Sequence, residues 1–89
     1  MADSLAMSKE KNQPAIVFGK VIKNLRLERG LTQNNLADII NSERSHISDI
    51  ERGIKSPSLA MVFRLSKALS ISSGELIQTV ENQLRNLDS

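Results

Sequence analysis

The stretch from Leu31 to Gly53, LTQNNLADIINSERSHISDIERG, constrains the fold of this chain more than any other. It encodes two short amphipathic helices joined by a tight turn. Thr32 is a helix-capping type, and Leu36, Ala37 and Ile40 fall at helical apolar spacing. Asn41-Ser42 is turn chemistry, because Asn tolerates a left-handed backbone at low cost. Ser42 is expected to cap the second helix, Ile47 and Ile50 to form its buried stripe, and Gly53 to stop it. Helices of about two turns are not stable alone in water. They must brace each other and lean on the remaining chain. The side they leave exposed carries Glu43, Arg44, Ser45, Ser48, Asp49 and Arg52. That face is polar, mostly short-armed and mixed in charge. Such a face suits hydrogen bonding to base edges more than simple neutralisation of phosphate.

The flanking segments supply three further helices. Residues 1–13 are polar and lack periodicity, and are expected to form an arm preceding the domain. Pro14 stands where a helix should start. That helix is predicted to run to about Arg29, with Val17/Phe18, Val21/Ile22 and Leu25 on its buried side and Gly30 as its stop. After Gly53 a loop around Pro57 leads to Ser58, the expected cap of a helix from Leu59 to Leu69. Its apolar positions are Leu59, Val62, Leu65, Ala68 and Leu69, with Met61 and Phe63 beside them. Ser72 and Glu75 have the spacing of a capping box for a last helix. In it Ile77, Val80, Leu84 and Leu87 step by heptad spacing. The domain's own core can use Leu76, with Val80 open to it as well. The heptad set, running past that core over residues 82–89, is expected to be a homodimer contact, with a frayed tail as the other reading. No strand-like alternation and no internal repeat occurs. The predicted class is all-α, one five-helix domain over residues 14–81.

Composition narrows the function. With 89 residues and no cysteine, the chain cannot use a disulfide framework, a thiolate metal site or cysteine catalysis. No apolar run approaches the about 20 residues of a membrane helix. MADSLAMSKEK lacks the apolar stretch of a secretory signal. A cytoplasmic location without membrane contact is therefore expected. Residues 1–67 hold eleven basic and seven acidic side chains, and residues 68–89 hold one and three. Any nucleic-acid face belongs to the first two-thirds, although a well-mixed solvated surface fits the charges equally. His46, the single histidine, lacks companions for a metal site and is expected to pack or touch the backbone. No nucleophile–base set, carboxylate pair, phosphate-binding glycine loop or metal spacing is present. An enzyme, a cofactor and a small-molecule ligand are not expected.

Phe18…Ile22…Leu25-Arg26…Gly30-Leu31-Thr32-Gln33…Leu36-Ala37…Ser45-x-Ile47-Ser48-x-Ile50-Glu51-Arg52-Gly53…Pro57-Ser58…Leu65…Leu69 resembles the lambda-repressor/Cro-type helix-turn-helix family. The likeness covers residues 15–81, and the small five-helix form is similar to the controller proteins of restriction–modification systems. The resemblance implies a site residue by residue. Arg44, Ser45 and Asp49 match base-reading positions of the recognition helix, with Glu43 and Ser48 flanking them. Gln33 matches a position that bonds the DNA backbone and sometimes a base, and Arg52 and Lys55 match a phosphate-clamping loop. Lys20 or Lys23 is expected to add a phosphate contact. Arg26 and Glu51 match a largely buried salt bridge. Where many members carry Gly in the turn, this chain has Asn41. The carboxylates of Glu43 and Asp49 repel phosphate unless one accepts from cytosine N4 or Arg44 pairs with one of them.

The resemblance thus implies a dimeric, sequence-specific regulator on a pseudo-palindromic operator of double-stranded DNA. It also allows an antitoxin that binds a protein toxin and autoregulates its operon. Residues 1–13 and 82–89 are short for wrapping a toxin, which counts against that alternative.

Overall fold

Asn12, rather than Pro14, sets the start of the first helix. In the computed structural model, which describes residues 12–88, Asn12 Oδ1 accepts from the Ala15 N–H at 3.3 Å, and helix α1 runs Gln13–Glu28. Pro14 sits in the first turn, where its missing N–H has no intrahelical partner to lose. The arm expected over residues 1–13 lies outside the described residues except for Asn12 and Gln13, which belong to this helix start. Four more helices follow: α2 Gln33–Ile39, α3 Arg44–Glu51, α4 Leu59–Ala68 and α5 Ser73–Asp88. The described residues contain no strand.

The helix ends repeat one device. Gly30, Asn41, Gly53 and Ser70 all adopt a positive φ, between 56° and 74°. After α1, the Gly30 N–H donates to Leu27 O and the Leu31 N–H to Arg26 O. After α2, α3 and α4 the same pair recurs from Asn41/Ser42, Gly53/Ile54 and Ser70/Ile71. This is the Schellman motif, which satisfies the last orphan carbonyls and turns the chain sharply. Asn41 thus takes the left-handed conformation that its position in the turn demands.

The same motif displaces the expected cap of α3. The Ser42 N–H closes α2 by donating to Ala37 O at 2.8 Å. One more residue is then needed before α3 starts, and Glu43 becomes its N-cap without a side-chain cap hydrogen bond. The Ser42 hydroxyl instead meets His46 Nδ1 at 3.0 Å. Thr32 does cap α2: its Oγ1 accepts from the Asn35 N–H, and Asn35 Oδ1 accepts from the Thr32 N–H, both at 2.9 Å. Ser58 caps α4. At α5 only half the expected box forms. Ser72 Oγ accepts from the Glu75 N–H, while the Glu75 carboxylate meets the Ser72 hydroxyl at 3.5 Å.

One core, aliphatic but for Phe18, joins all five helices, with Ile22, Leu36, Ile47, Ile50, Leu65, Leu69 and Leu76 wholly buried. α1 lies against both α3 and α5, α2 packs on α3, and α4 on α5. Gly19 sets the approach of α1 to α3. A Cβ there would stand 2.2 Å from Ile50 O and 2.7 Å from Glu51 O, so only glycine fits. Leu59 and Phe63, expected on the apolar stripe of α4, face outward instead, 71% and 54% exposed. Met61, Val62, Leu65 and Leu69 take the core-facing positions. Val80, a heptad position that the core could also use, goes to the core. Leu84 is packed partly against that core, because α5 lies lengthwise on α1. Only Ile77 and Leu87 of the four stand largely free, at 47% and 58% exposure.

Candidate nucleic-acid interface

A buried ion pair between α1 and the end of α3 anchors the site. Arg26 Nε donates to Glu51 Oε2 at 2.6 Å and Nη2 to Oε1 at 3.0 Å, a two-pronged contact between residues each 7% exposed. The remaining prong, Nη1, donates to Leu31 O at 2.8 Å. Glu51 raises the pKa of Arg26 above its ordinary value, chiefly by that hydrogen bond, against the opposing effect of burial. The pair thereby ties α1 to the end of α3 and to the loop that enters α2.

From this anchor the contacts run outward. Gln33, first residue of α2, donates from Nε2 to Glu51 Oε1 at 3.0 Å. Arg44, first residue of α3, donates from Nη1 to Gln33 Oε1 at 3.3 Å and is otherwise exposed. Ile47 and Ile50 point into the core, which turns Ser45, Ser48, Asp49 and Arg52 away from it. Ser45 and Arg52 are exposed, and Ser48 and Asp49 half-buried. Arg52 Nη2 lies 3.3 Å from Asp49 Oδ1, so this carboxylate carries its own cation on the same face. Arg44 pairs with the Gln33 amide rather than with Glu43 or Asp49. Lys55 borders a depression together with Ser42, Glu43, Ser45, His46 and Asp49.

The two α1 lysines separate. Lys23 is exposed one turn before Arg26, on the side of the ion pair. Lys20 instead borders the groove between α1 and α5, with Gln13, Gln83, Asn86 and Leu87. The contacts of Gln33 to Glu51 and Arg44 carry no sequence signal, since they span 18 and 11 residues and depend on how α2 crosses α3. Two further arginines close helix ends: Arg29 donates to Leu69 O and Arg64 to Ile40 O. Neither residue follows a pattern that would mark it in sequence.

The helix-turn-helix family model matches residues 22–76, the segment from the middle of α1 to the start of α5. The chain belongs to this family. Among curated relatives it is similar to the control protein C.BamHI of Bacillus amyloliquefaciens, 34% identical over 67 residues, which span 74% of this chain and 83% of that one. It is 41% identical over 62 residues to the immunity repressor of Bacillus phage phi105, covering 70% of this chain but 43% of the repressor. Among solved structures, the restriction-modification controller protein C.AhdI from Aeromonas hydrophila superposes with a TM-score of 0.67 at 35% identity, over 70% of this chain and 94% of that one. The chain is thus a Cro/C1-type helix-turn-helix regulator and not an enzyme. Among the described residues no helix is long and apolar enough to cross a membrane.

Proposed function

We propose that the chain binds double-stranded DNA as a dimer and regulates transcription by laying α3 in the major groove of each half of a pseudo-palindromic operator. The observation that carries this reading is the exposed face of α3, where Arg44, Ser45, Asp49 and Arg52 stand together, flanked by Gln33 and Lys55. Arg44 takes guanine O6 and N7, the commonest specific pairing in the major groove. Ser45 and Asp49 refine the choice, with Glu43 and Ser48 at the margins. Arg52, Lys55 and Lys23 contact phosphates and fix the register. Arg52 beside Asp49 tempers the repulsion of that carboxylate. The second copy docks along α5 at Ile77 and Leu87, with Leu84 between them. Half-sites then lie about one helical turn apart.

Fluorescence anisotropy at two salt concentrations tests the reading, comparing DNA upstream of the gene with a scrambled duplex. A preference of about a thousandfold or more, kept at the higher salt, supports a self-regulating sequence reader. Equal binding to both duplexes, lost as salt rises, sinks it and leaves a merely basic surface. In the same assay Arg44→Ala costs about 1–3 kcal/mol and relaxes one base position per half-site.

A further inference from the structure

A groove of about 470 Å³ lies between α1, α5 and the loop that enters α4, walled by Phe18, Pro57, Val62, Ile77 and Leu84. Exposed Asn12, Ser56 and Glu81 border it. Asn12 is also where the preceding chain arrives. Its Oδ1 caps α1 and its Nδ2 donates to Ser56 Oγ at 2.9 Å, which fixes the entry of residues 1–11 at the edge of the groove. In that segment, MADSLAMSKEK, Leu5 and Met7 are large, apolar and two positions apart. An extended backbone puts such a pair on one face. The chain from Leu5 to Asn12 spans roughly 23 Å at full extension, enough to double back along a groove that Asn12 itself borders. We infer that residues 5–7 lie in the groove of their own protomer, Leu5 and Met7 inward, and mask Ile77 from a second copy. The masking rests on the proposed role of Ile77 in the dimer; the seating of the segment does not.

Three features favour this occupant over a second copy. The segment is tethered at the edge of the groove, so it faces the walls at an effective concentration on the order of millimolar. A methionine thioether fills an irregular apolar groove well. Between the apolar pair and Asn12 the chain reads Ser8-Lys9-Glu10-Lys11, net positive, and it passes Glu81, whose side chain is still 54% exposed beside Arg85. Leu87 lies on the other flank of α5, with Gln13 and Lys20, and stays uncovered. The segment therefore covers one part of the apolar surface that the proposed dimer uses, and segment and second copy compete for it.

The chain has no cysteine, so two introduced thiols report where the segment sits. In the full chain, Ser8→Cys is combined with Glu81→Cys on the border of the groove, or with Asn86→Cys on the other flank of α5. A disulfide closes only when the two Cα atoms come within about 7 Å. In a glutathione buffer at low protein concentration, the pair with Glu81→Cys should close within one chain at least about tenfold faster than the pair with Asn86→Cys. Adding Leu5→Ser and Met7→Ser should erase that difference, with circular dichroism showing that the helices persist. Equal rates for the two pairs, a bond between chains, or a difference that survives the serines overturns the seating. Sedimentation equilibrium of the cysteine-free chain tests the masking. Leu5→Ser with Met7→Ser should tighten dimerisation about tenfold, since apparent affinity scales with the fraction of protomers whose groove is free. An unchanged or weaker dimer overturns the masking. If neither form dimerises, the reading of Ile77 as a dimer contact fails and the masking with it, while the cross-link still judges the seating.

Discussion

At the scale of single residues, the charged and the smallest side chains carry the most consequence. Arg26 and Glu51 would be costly in a core if either stood alone, since an unpaired buried charge has neither water nor partner. Arg26→Met is therefore expected to destabilise the fold by about 3–5 kcal/mol, read from urea unfolding. The Arg26 pKa is raised by folding, so its contribution is complete below the unfolded value and fades only as pH rises through the folded one. The stability gap between parent and Arg26→Met, as far as Arg26 sets it, should accordingly stay flat from neutral to about pH 10. Gly19 acts by absence. A methyl group there meets backbone carbonyls of α3, which cannot move aside as a side-chain tip could. Gly19→Ala should cost about 3 kcal/mol in the same measurement, and a neutral result would show that α1 can slide on α3.

At the scale of elements, α2 and α3 are too short to persist without tertiary support. Each is made definite by its ends: the Thr32–Asn35 box before α2 and left-handed residues after both helices. Of the four left-handed positions, two are glycine and one is asparagine; Ser70, with φ 58°, bears the steric cost of its Cβ. Ser70→Gly is expected to stabilise the chain by about 1 kcal/mol, visible as a higher melting temperature by circular dichroism with DNA affinity unchanged. Loss of stability instead would mean that the Ser70 side chain makes a contact worth more than its strain.

At the scale of the whole molecule, α5 divides its apolar residues between two tasks. Leu76 and Val80 complete the core, while Ile77 and Leu87 remain exposed although they share the helix with well-buried neighbours. In the proposed dimer a second copy covers the apolar surface these two leave exposed. Ile77→Ser with Leu87→Ser should convert a dimer to a single copy in sedimentation equilibrium and weaken binding to a two-half-site duplex far more than to a half-site. An unchanged mass would place the dimer contact elsewhere.

Helix number, order and turns were legible in the chain because they depend on local chemistry: apolar spacing near 3.6, Gly30, Asn41 and Gly53 as stops, Thr32 and Ser58 as caps. The exposed face of α3 was legible for the same reason, since Ile47 and Ile50 determine which side turns inward. The tertiary structure alone decided that Ser42 ends one helix instead of capping the next, and that Val80, open to core or partner in the sequence, goes to the core. It also placed Lys20 beside α5, and Gln33 between Glu51 and Arg44. These outcomes depend on how helices cross and how closely they approach. Periodicity within one helix carries the direction of its faces but not the identity of what they meet.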